Sequence, residues 1–517
     1  MDGAASSPGR SWRRPAWRGL AAAAAAGVLA ATGLAPTGFW WLALPALACV
    51  VAMVAAADRA PDRVWAAFAA GAGYFAAGLF WIVEPFLVDP ARHGWMAPFA
   101  LLLMALGGGA FWAAAGAVAG IGRTRATRAA AFALGLALSD LLRGYVFTGF
   151  PWALTGHMWI ATPVAQAAAF AGPAGLSLLT LALAALPAAV AGRRRQALAA
   201  AAALAVLAAV WAGGALRLAA PDPAPRDPAV TVRLAQPDAP QHLKWREDMW
   251  RIFLQRLMDQ TAAPSAPPPD LIVWPETAVP FLLEEAGPFL AQLAVTAGGV
   301  PVATGVQRSE GGRYFNSLAV IGGDGAVTHV YDKHHLVPFG EYVPWGDALA
   351  RLGIGAFAAR QGFGYAPGPG AAVLDLGRAG RVLPLICYEA VFPQDLRAAP
   401  ERADWILQVT NDSWFGSLSG PYQHLDQARL RAIEQGLPLL RSANTGVSAA
   451  IDAKGRVIAA IPLDSEGHID VAVPPALPPT LYARTGDLPV LAVILAGLAA
   501  LVLLRRRPPV DLAGPSR

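Results

Sequence analysis

Charge is scarce in this chain. Asp, Glu, Lys and Arg make up 15% of its 517 residues and hydrophobic residues 56%, where an ordinary soluble domain has about 25% and roughly 45–50%. That imbalance excludes a fully solvated fold and implies a membrane protein. Cysteine is scarcer still, with two residues, which excludes a disulfide-stapled scaffold. Lysine is nearly missing too: among 40 basic residues only Lys244, Lys333 and Lys454 are not arginine. A chain that uses Arg wherever bare positive charge suffices keeps Lys where a compact ammonium with movable protons is needed. No G-x-S-x-G, H-E-x-x-H or P-loop lysine pattern occurs, which removes the commonest serine-hydrolase, zinc-peptidase and nucleotide-binding readings.

What is present is apolar length. Stretches of Ala, Leu, Val, Phe and Trp fill the chain before Ala220, and one more runs from Leu488 to Leu504. Taken at the roughly 17–25 residues a helix needs to cross a bilayer, they give spans near 19–35, 38–57, 64–83, 96–120, 129–147, 163–191, 196–218 and 488–504. Basic residues cluster at Arg10, Arg13, Arg14 and Arg18, at Arg59 and Arg63, at Arg123, Arg125 and Arg128, at Arg193 to Arg195, and at Arg505 to Arg507. These are alternate connections, so every cluster falls on one side, which the positive-inside rule makes cytoplasmic. The polar region between the seventh and eighth spans is then extracytoplasmic. The formal charge of +5 flanks spans rather than forming a nucleic-acid face, and no nucleic-acid partner is expected. The first apolar stretch, preceded by Arg13 and Arg14, also fits a cleavable leader, whose loss would leave the later topology unchanged.

Three regions follow: a membrane domain over 1–220 with about seven helices, a polar domain over 221–485, and a last helix with its tail over 486–517. Pro-rich linkers, "PDPAPRDPA" from Pro221 and "PPALPPTLYARTGD" from Pro474, mark the two junctions because proline cannot continue a helix. Within the polar domain "AVTVRLAQ", "DLIVWPE", "VPVATGVQ", "SLAVIGG", "VLPLICYE", "DWILQVTND" and "SAAIDAKGRVIAAIPL" read as buried strands. "GDGA" and "AKGR" read as hairpin turns, and "KWREDMWRIFLQRLMDQ" and "HLDQARLRAIEQG" as helices. Alternating strands and helices predict a layered α/β fold.

Three residues stand out there. Cys387, in "LPLICYEAVF", cannot plausibly pair with Cys49 inside an apolar span. It is either a small buried hydrophobe at a strand end or, with Glu389 close by, a nucleophile whose thiolate attacks acyl carbons. Lys333, in "VYDKHHLVPFGEYVP", is either a solvated charge or the cation of a packed site that includes Glu341. Glu276, in "DLIVWPETAVP", is either a loop carboxylate or a base delivered at a strand end, where α/β folds place chemistry. His334 and His335 are adjacent rather than spaced for one metal and read as loop residues.

In order, the Glu of "WPE", the Lys of "YDKHHLVPFGE" and the Cys of "ICYE" resemble the Glu-Lys-Cys constellation of the nitrilase (carbon–nitrogen hydrolase) superfamily. Together with "GFPWALTGHMW" between the fifth and sixth spans, "VTNDSWFG" and eight spans, nearly the whole chain resembles the apolipoprotein N-acyltransferase family. It departs from that pattern at "QPDAPQHLKW", where the family more often has Gly-Asn-Ile after the Gln.

The resemblance implies a multi-span helical membrane domain carrying an extracytoplasmic nitrilase-like α-β-β-α sandwich, in a bacterial cytoplasmic membrane. It implies transfer of a fatty acyl chain from a phospholipid to the free α-amine of a diacylglyceryl-cysteine at a lipoprotein N-terminus, by a monomer without cofactor or metal. Carried over, Cys387 takes the acyl chain as a thioester, Glu276 moves the protons, and Lys333 stabilises the oxyanion with the Tyr388 N–H. Glu341 holds Lys333, and Tyr388 and Glu389 support the site. Trp152, Trp245, Trp414 and Phe415 are expected to line the acyl route or anchor the interface. Two other readings compete. A membrane-tethered amidase would pass the acyl group to water, and a transporter would use the outer domain only for binding, although the spans hold few of the ionisable residues such pathways carry.

Overall fold

A strand covered on both faces needs apolar residues at every position, and the short runs after residue 230 fold in that way. The computed structural model describes residues 17–344 and 364–506, so Arg10, Arg13, Arg14 and Arg507 lie outside the described residues. One six-stranded sheet holds β1 (Thr231–Gln236), β2 (Leu271–Val273), β3 (Val302–Glu310), β4 (Arg313–Ile321) and β5 (Val327–Asp332) in that order, with β12 (Gly467–Ala472) beside β1. The other runs β11 (Val457–Ile461), β10 (Ser448–Ile451), β9 (Leu439–Ala443), β8 (Trp405–Thr410), β7 (Arg381–Ile386), β6 (Leu374–Asp375). The inner triples β1–β2–β3 and β7–β8–β9 are parallel and the outer pairings antiparallel.

Residue alternation sorts each strand between two cores. Leu271 and Val273 join Val382, Ile386, Leu407 and Val409 in the core shared by the sheets. Ile272 faces outward against Leu257 and Leu293, on helices Trp250–Ala262 and Gly287–Thr296. On the second sheet Leu383, Leu385 and Ile406 face Ala428 and Ala432 of helix Gly420–Gln435. The result is the expected α-β-β-α sandwich. All seven strand runs read from the sequence hold a strand, whereas β5, β6, β9 and β12 were not among them. The first predicted helix starts at Trp250 rather than Lys244, because Lys244 turns inward and is buried.

Eight helices stand at the eight expected spans: Trp17–Ala31, Trp40–Ala56, Ala60–Gly78, Ala97–Val118, Arg125–Leu142, Ala168–Ala188, Arg193–Ala219 and Leu488–Arg506. Among the described residues, by length and hydropathy alone, four helical stretches can cross a membrane, and a fifth if Ala60–Gly78 and Phe80–Leu87, bent by 47°, count as one. The first two helices fall short at 15 and 17 residues, since about 20 are needed for the hydrocarbon core. The third expected span breaks at Leu79, and the chain beyond it carries Trp81 onto Trp152 and Phe415.

Hydrogen bonds draw the described basic clusters together. Arg128 pairs with Asp58 at 3.1 Å, Arg125 Nε donates to the Ala188 carbonyl at 2.8 Å, and Arg505 reaches the Gly120 carbonyl at 3.4 Å. The sandwich docks on other loops. Gln423 Nε2 donates to the carbonyls of Ala35 and Gly78, while its Oε1 accepts the indole N–H groups of Trp81 and Trp152. One side chain thus uses its full bonding capacity to join the sandwich to three stretches of the membrane domain.

Candidate active site

Glu276 lies three residues beyond the end of β2, and Lys333 and Cys387 directly follow the last residues of β5 and β7. Gly305 on β3 lets the first of these turns close, since a Cβ there would run into Glu276 Cα and the Pro275 carbonyl. Asp332 ends β5 and is clamped by Arg308 at 2.6 and 2.7 Å and by Ser317 Oγ at 2.6 Å, which fixes the backbone ahead of Lys333. Cys387 has φ +52°, a left-handed conformation that a side chain disfavours. Thr277 and Phe339, beside Glu276 and Glu341, also have positive φ. Backbone strain gathered in this way is typical of functional sites.

The side chains converge although their motifs lie far apart in the chain. Lys333 Nζ is 2.8 Å from Glu341 Oε1 and 3.6 Å from Glu276 Oε1. Asn316 Nδ2 bridges the two carboxylates at 2.8 and 2.9 Å. Glu341 Oε2 accepts the Val337 N–H at 2.8 Å, closing its own loop. All three ionisable groups and the thiol are buried. Glu276 Oε2 is buried too and has no hydrogen-bond partner among the described residues. An unpaired carboxylate oxygen is costly, and here it is an acceptor left open for a proton.

The electrostatics follow from one cation among two carboxylates and a thiol. Burial works against the Lys333 ammonium, but Glu341, Glu276 and Cys387 outweigh it and hold its pKa far above the ordinary lysine value. Burial raises the Glu276 pKa, opposed by Lys333 and reinforced by Glu341. Burial, then the Glu276 charge, pushes the Cys387 thiol far above its usual range against the pull of Lys333. At rest the sulfur is therefore a protonated thiol, coupled electrostatically to Glu276 with its open oxygen. A thiol held in this way can attack only by passing its proton to a neighbouring base as it does so.

Glu389 is fully buried and accepts the N–H of Ile386 at 2.8 Å and of His334 at 2.8 Å, and the Tyr331 hydroxyl at 3.0 Å. Burial opposes its charge, but His334 and these N–H donors prevail and keep its carboxyl below the usual range. It ties the Cys387 turn to the Lys333 loop. The Tyr388 hydroxyl donates to the Gly149 carbonyl at 3.2 Å, in the membrane-domain loop that begins "GFPW". His335 packs flat on Phe392 at 3.5 Å, with one ring nitrogen 2.8 Å from Asp395 and the other 2.9 Å from the Thr148 carbonyl. A cavity of about 400 Å³ opens here, lined by Thr148, His335, Tyr342 and Tyr365 among others.

The four aromatics separate. Trp152 and Phe415 are buried and pack tilted or edge-to-face against Trp81 and His424, forming a wall between the membrane domain and the sandwich. Trp414 is half-buried against the same core. Trp245 lines a cleft with Trp250 and Phe253, and Lys244 Nζ lies 5.2 Å from its ring.

Several residues of the site were not singled out in the sequence. Asn316 lies in β4 between Phe315 and Ser317 and is buried. Lys244 Nζ donates to the Glu276 carbonyl and to Thr277 Oγ1, each at 3.1 Å, and so fixes the Glu276 turn. The scarcity of lysine was the available signal, because all three lysines prove to be buried. Lys454 holds Asp222 at 2.8 Å and contacts the Ala220 carbonyl, at the end of helix Arg193–Ala219. Gln408, Asp412, His424 and Arg441 form a fully buried cluster behind Cys387.

The family models match in two blocks: the apolipoprotein N-acyltransferase N-terminal domain over residues 26–186, and carbon-nitrogen hydrolase over residues 231–477. The apolipoprotein N-acyltransferase of Rhodopseudomonas palustris is 38% identical, with 95% of this chain and 96% of the relative covered. Its counterpart in Bradyrhizobium diazoefficiens is 39% identical, with 95% of each covered. That of Caulobacter vibrioides is 38% identical over 94% of each. Among solved structures, a CN-hydrolase superfamily protein from Xanthomonas campestris is 21% identical, covers 52% of this chain and 97% of its own, and has a TM-score of 0.33.

Proposed function

Because the chain belongs to the apolipoprotein N-acyltransferases, we propose that Cys387 carries the acyl group between its two substrates, with Glu276 moving protons and Lys333 stabilising charge. The enzyme acts in a membrane on phospholipid and lipoprotein substrates and catalyses the last step of lipoprotein maturation. The observation that carries the residue assignment is the buried Glu276 Oε2, left without a partner in a cluster whose charges couple to the Cys387 thiol.

In the first half-reaction Sγ attacks the ester carbonyl of the phospholipid as its proton passes to Glu276. The oxyanion of the tetrahedral intermediate is met by the Lys333 ammonium and the Tyr388 N–H, donors fixed before the reaction begins. Collapse breaks the C–O bond, and the proton on Glu276 goes to the departing lysophospholipid oxygen. In the second half the neutral α-amine of the diacylglyceryl-cysteine attacks the thioester and Glu276 takes its proton. The C–S bond then breaks and the sulfur recovers that proton. Glu341 keeps Lys333 in place, and Asn316 keeps the two carboxylates in register. Trp245, in the cleft beside Lys244, borders the route by which the acyl chain arrives, and Trp152, Phe415 and Trp414 wall the site off toward the membrane domain. A single copy suffices for this chemistry.

A thioester must favour an amine over water at about 55 M, which needs a held acceptor and a shielded site, with effective molarities on the order of 10⁵ M or more available from orientation. Phospholipid alone is therefore expected to add one acyl group to Cys387, seen as a mass increase of that peptide. The adduct should persist until a diacylglyceryl-cysteinyl peptide is added, and an N-acetylated peptide should leave it intact. Free fatty acid as the main product at saturating peptide would make the enzyme a hydrolase.

The sandwich is assigned to the extracytoplasmic side of a bacterial cytoplasmic membrane. The mutual contacts of the basic clusters, and the docking of the sandwich on different loops, support this orientation. In a Cys49→Ala background, an impermeant thiol reagent on spheroplasts should label a cysteine placed at Arg313 and spare one placed at Arg194. The opposite pattern would invert the orientation.

A further inference from the structure

The Cys387–Tyr388 peptide has a partner for its carbonyl that the reaction scheme above does not use. Gln408 Nε2 lies 3.2 Å and His424 Nε2 3.1 Å from the Cys387 carbonyl oxygen. His424 Nδ1 is 2.8 Å from Asp412 Oδ1, and Asp412 is in turn paired with Arg441. Thr410 Oγ1 donates to the same Asp412 oxygen at 2.9 Å. Gln408, Asp412, His424 and Arg441 are all fully buried.

Such a cluster is a poor way to stabilise a fold. Buried ion pairs seldom exceed well-packed apolar side chains in stability, and here Arg441 Nη1 and Gln408 Oε1 are left without partners among the described residues. What it does achieve is geometric. A peptide unit is planar, and in the trans form its C=O and N–H point in opposite directions. Drawing the Cys387 carbonyl into the cluster therefore directs the Tyr388 N–H out of it. It also holds Cys387 in its disfavoured positive φ, which only surrounding structure can maintain.

We propose that His424 and Gln408 are positioning residues that aim the Tyr388 N–H at the oxyanion by clamping the Cys387 carbonyl, with Asp412 and Arg441 fixing the imidazole. This rests on the reading of Cys387 as the nucleophile and adds a layer behind it. With its proton on Nε2 the imidazole donates to the carbonyl, while Arg441 Nη2 faces Nδ1 at 3.3 Å, and Gln408 Nε2 donates to the same carbonyl oxygen beside it. The ring also touches the membrane domain, at 5.6 Å from Trp152, and the preceding residue is the four-way joint Gln423. The oxyanion donor is thereby set by the same helix that docks the sandwich on the membrane helices.

The test separates reactions that build an oxyanion from one that does not. Phospholipid acylation forms an oxyanion, whereas iodoacetamide alkylates the same sulfur by displacement with none. In His424→Ala and Gln408→Met, single-turnover acylation and discharge to the acceptor should both slow, by roughly 30-fold in the alanine variant. Alkylation of Cys387, resolved from Cys49 by peptide mass, should stay within about twofold, because the thiol and Glu276 are untouched. His424→Gln, which restores an amide donor, should recover to within about fivefold of wild type. If His424→Ala does not fold, Gln408→Met and His424→Gln carry the same comparison. Unchanged acylation in these variants, or acylation and alkylation falling in parallel, overturns the proposal. Absence of any acyl adduct on Cys387 in the wild type would instead overturn the nucleophile assignment.

Discussion

Cys387→Ala is expected to abolish the acyl-enzyme and to cut transfer by at least about 10⁴-fold, roughly 5.5 kcal/mol of barrier. The size of the loss follows from the site around it. Lys333, Glu276 and Glu341 are arranged for charge that appears only when sulfur attacks, and with no sulfur they face no reacting atom. The fold should tolerate the change, because one small buried group is lost at a cost of about 1 kcal/mol. Backbone strain offers an internal check. Since Cys387 sits at φ +52°, Cys387→Gly should be as inactive as alanine yet more stable than it by about 1 kcal/mol. A hydroxylamine-labile adduct that survives in either variant would move the nucleophile elsewhere.

The proposed catalytic triple was legible because each member breaks a pattern. Glu276 and Cys387 each interrupt an apolar strand run at its end, and Lys333 is conspicuous where arginine serves almost every other cationic role. The central strands were legible because both faces are buried: β7 is apolar from Val382 to Ile386, and β8 is apolar from Trp405 to Val409 apart from Gln408. What escaped was whatever imitates a surface. β5 leaves Val327, Thr328 and Val330 exposed, and β12 is half-exposed along most of its length. β9 carries Arg441, a charge that a local reading assigns to solvent although it is fully buried. In helix Gly420–Gln435, Gln423, His424 and Gln427 read as a wet face, yet all three are buried. The partners of Gln423 and His424 lie in other parts of the chain: Trp81, Trp152, Gln408 and Asp412. A polar network inside a protein has no local period, so only the assembled fold reveals it.

The membrane domain is more than an anchor. Three hydrogen bonds join the loop between Gly144 and Gly149 to the surroundings of Cys387: Tyr388 to Gly149, His335 to Thr148 and Gln394 to Gly144. Phe147 and Thr148 in that loop have positive φ, and Phe147 is 85% exposed. On the far side Arg143 donates to the carbonyls of Phe150 and Trp152, holding the start of "GFPW" from within the membrane domain. The loop is thus fixed from both sides. Both substrates reside in a bilayer, and a site built against such a loop meets them without drawing long acyl chains into water.

Glu276→Gln should affect two reactions of the same sulfur in opposite directions. Glutamine keeps the shape of the side chain and its contact with Asn316, but it cannot accept the thiol proton. Acylation by phospholipid should fall by about 10²–10⁴-fold, the usual range for loss of a general base. The Glu276 charge is also one of the influences that raise the Cys387 pKa, and Lys333 opposes it. With that charge gone the thiol ionises at lower pH, so alkylation by iodoacetamide should become faster near neutrality. The pH profile adds a second check. In the wild type, acylation should rise with pH as Glu276 loses its proton, with a midpoint above the 4.5 of an ordinary glutamate because burial raises its pKa. That rising limb should vanish in Glu276→Gln, while the alkylation limb moves to lower pH. Acylation within tenfold of wild type, or alkylation that slows along with it, would mean that Glu276 only holds Lys333 in place and that the base is another group.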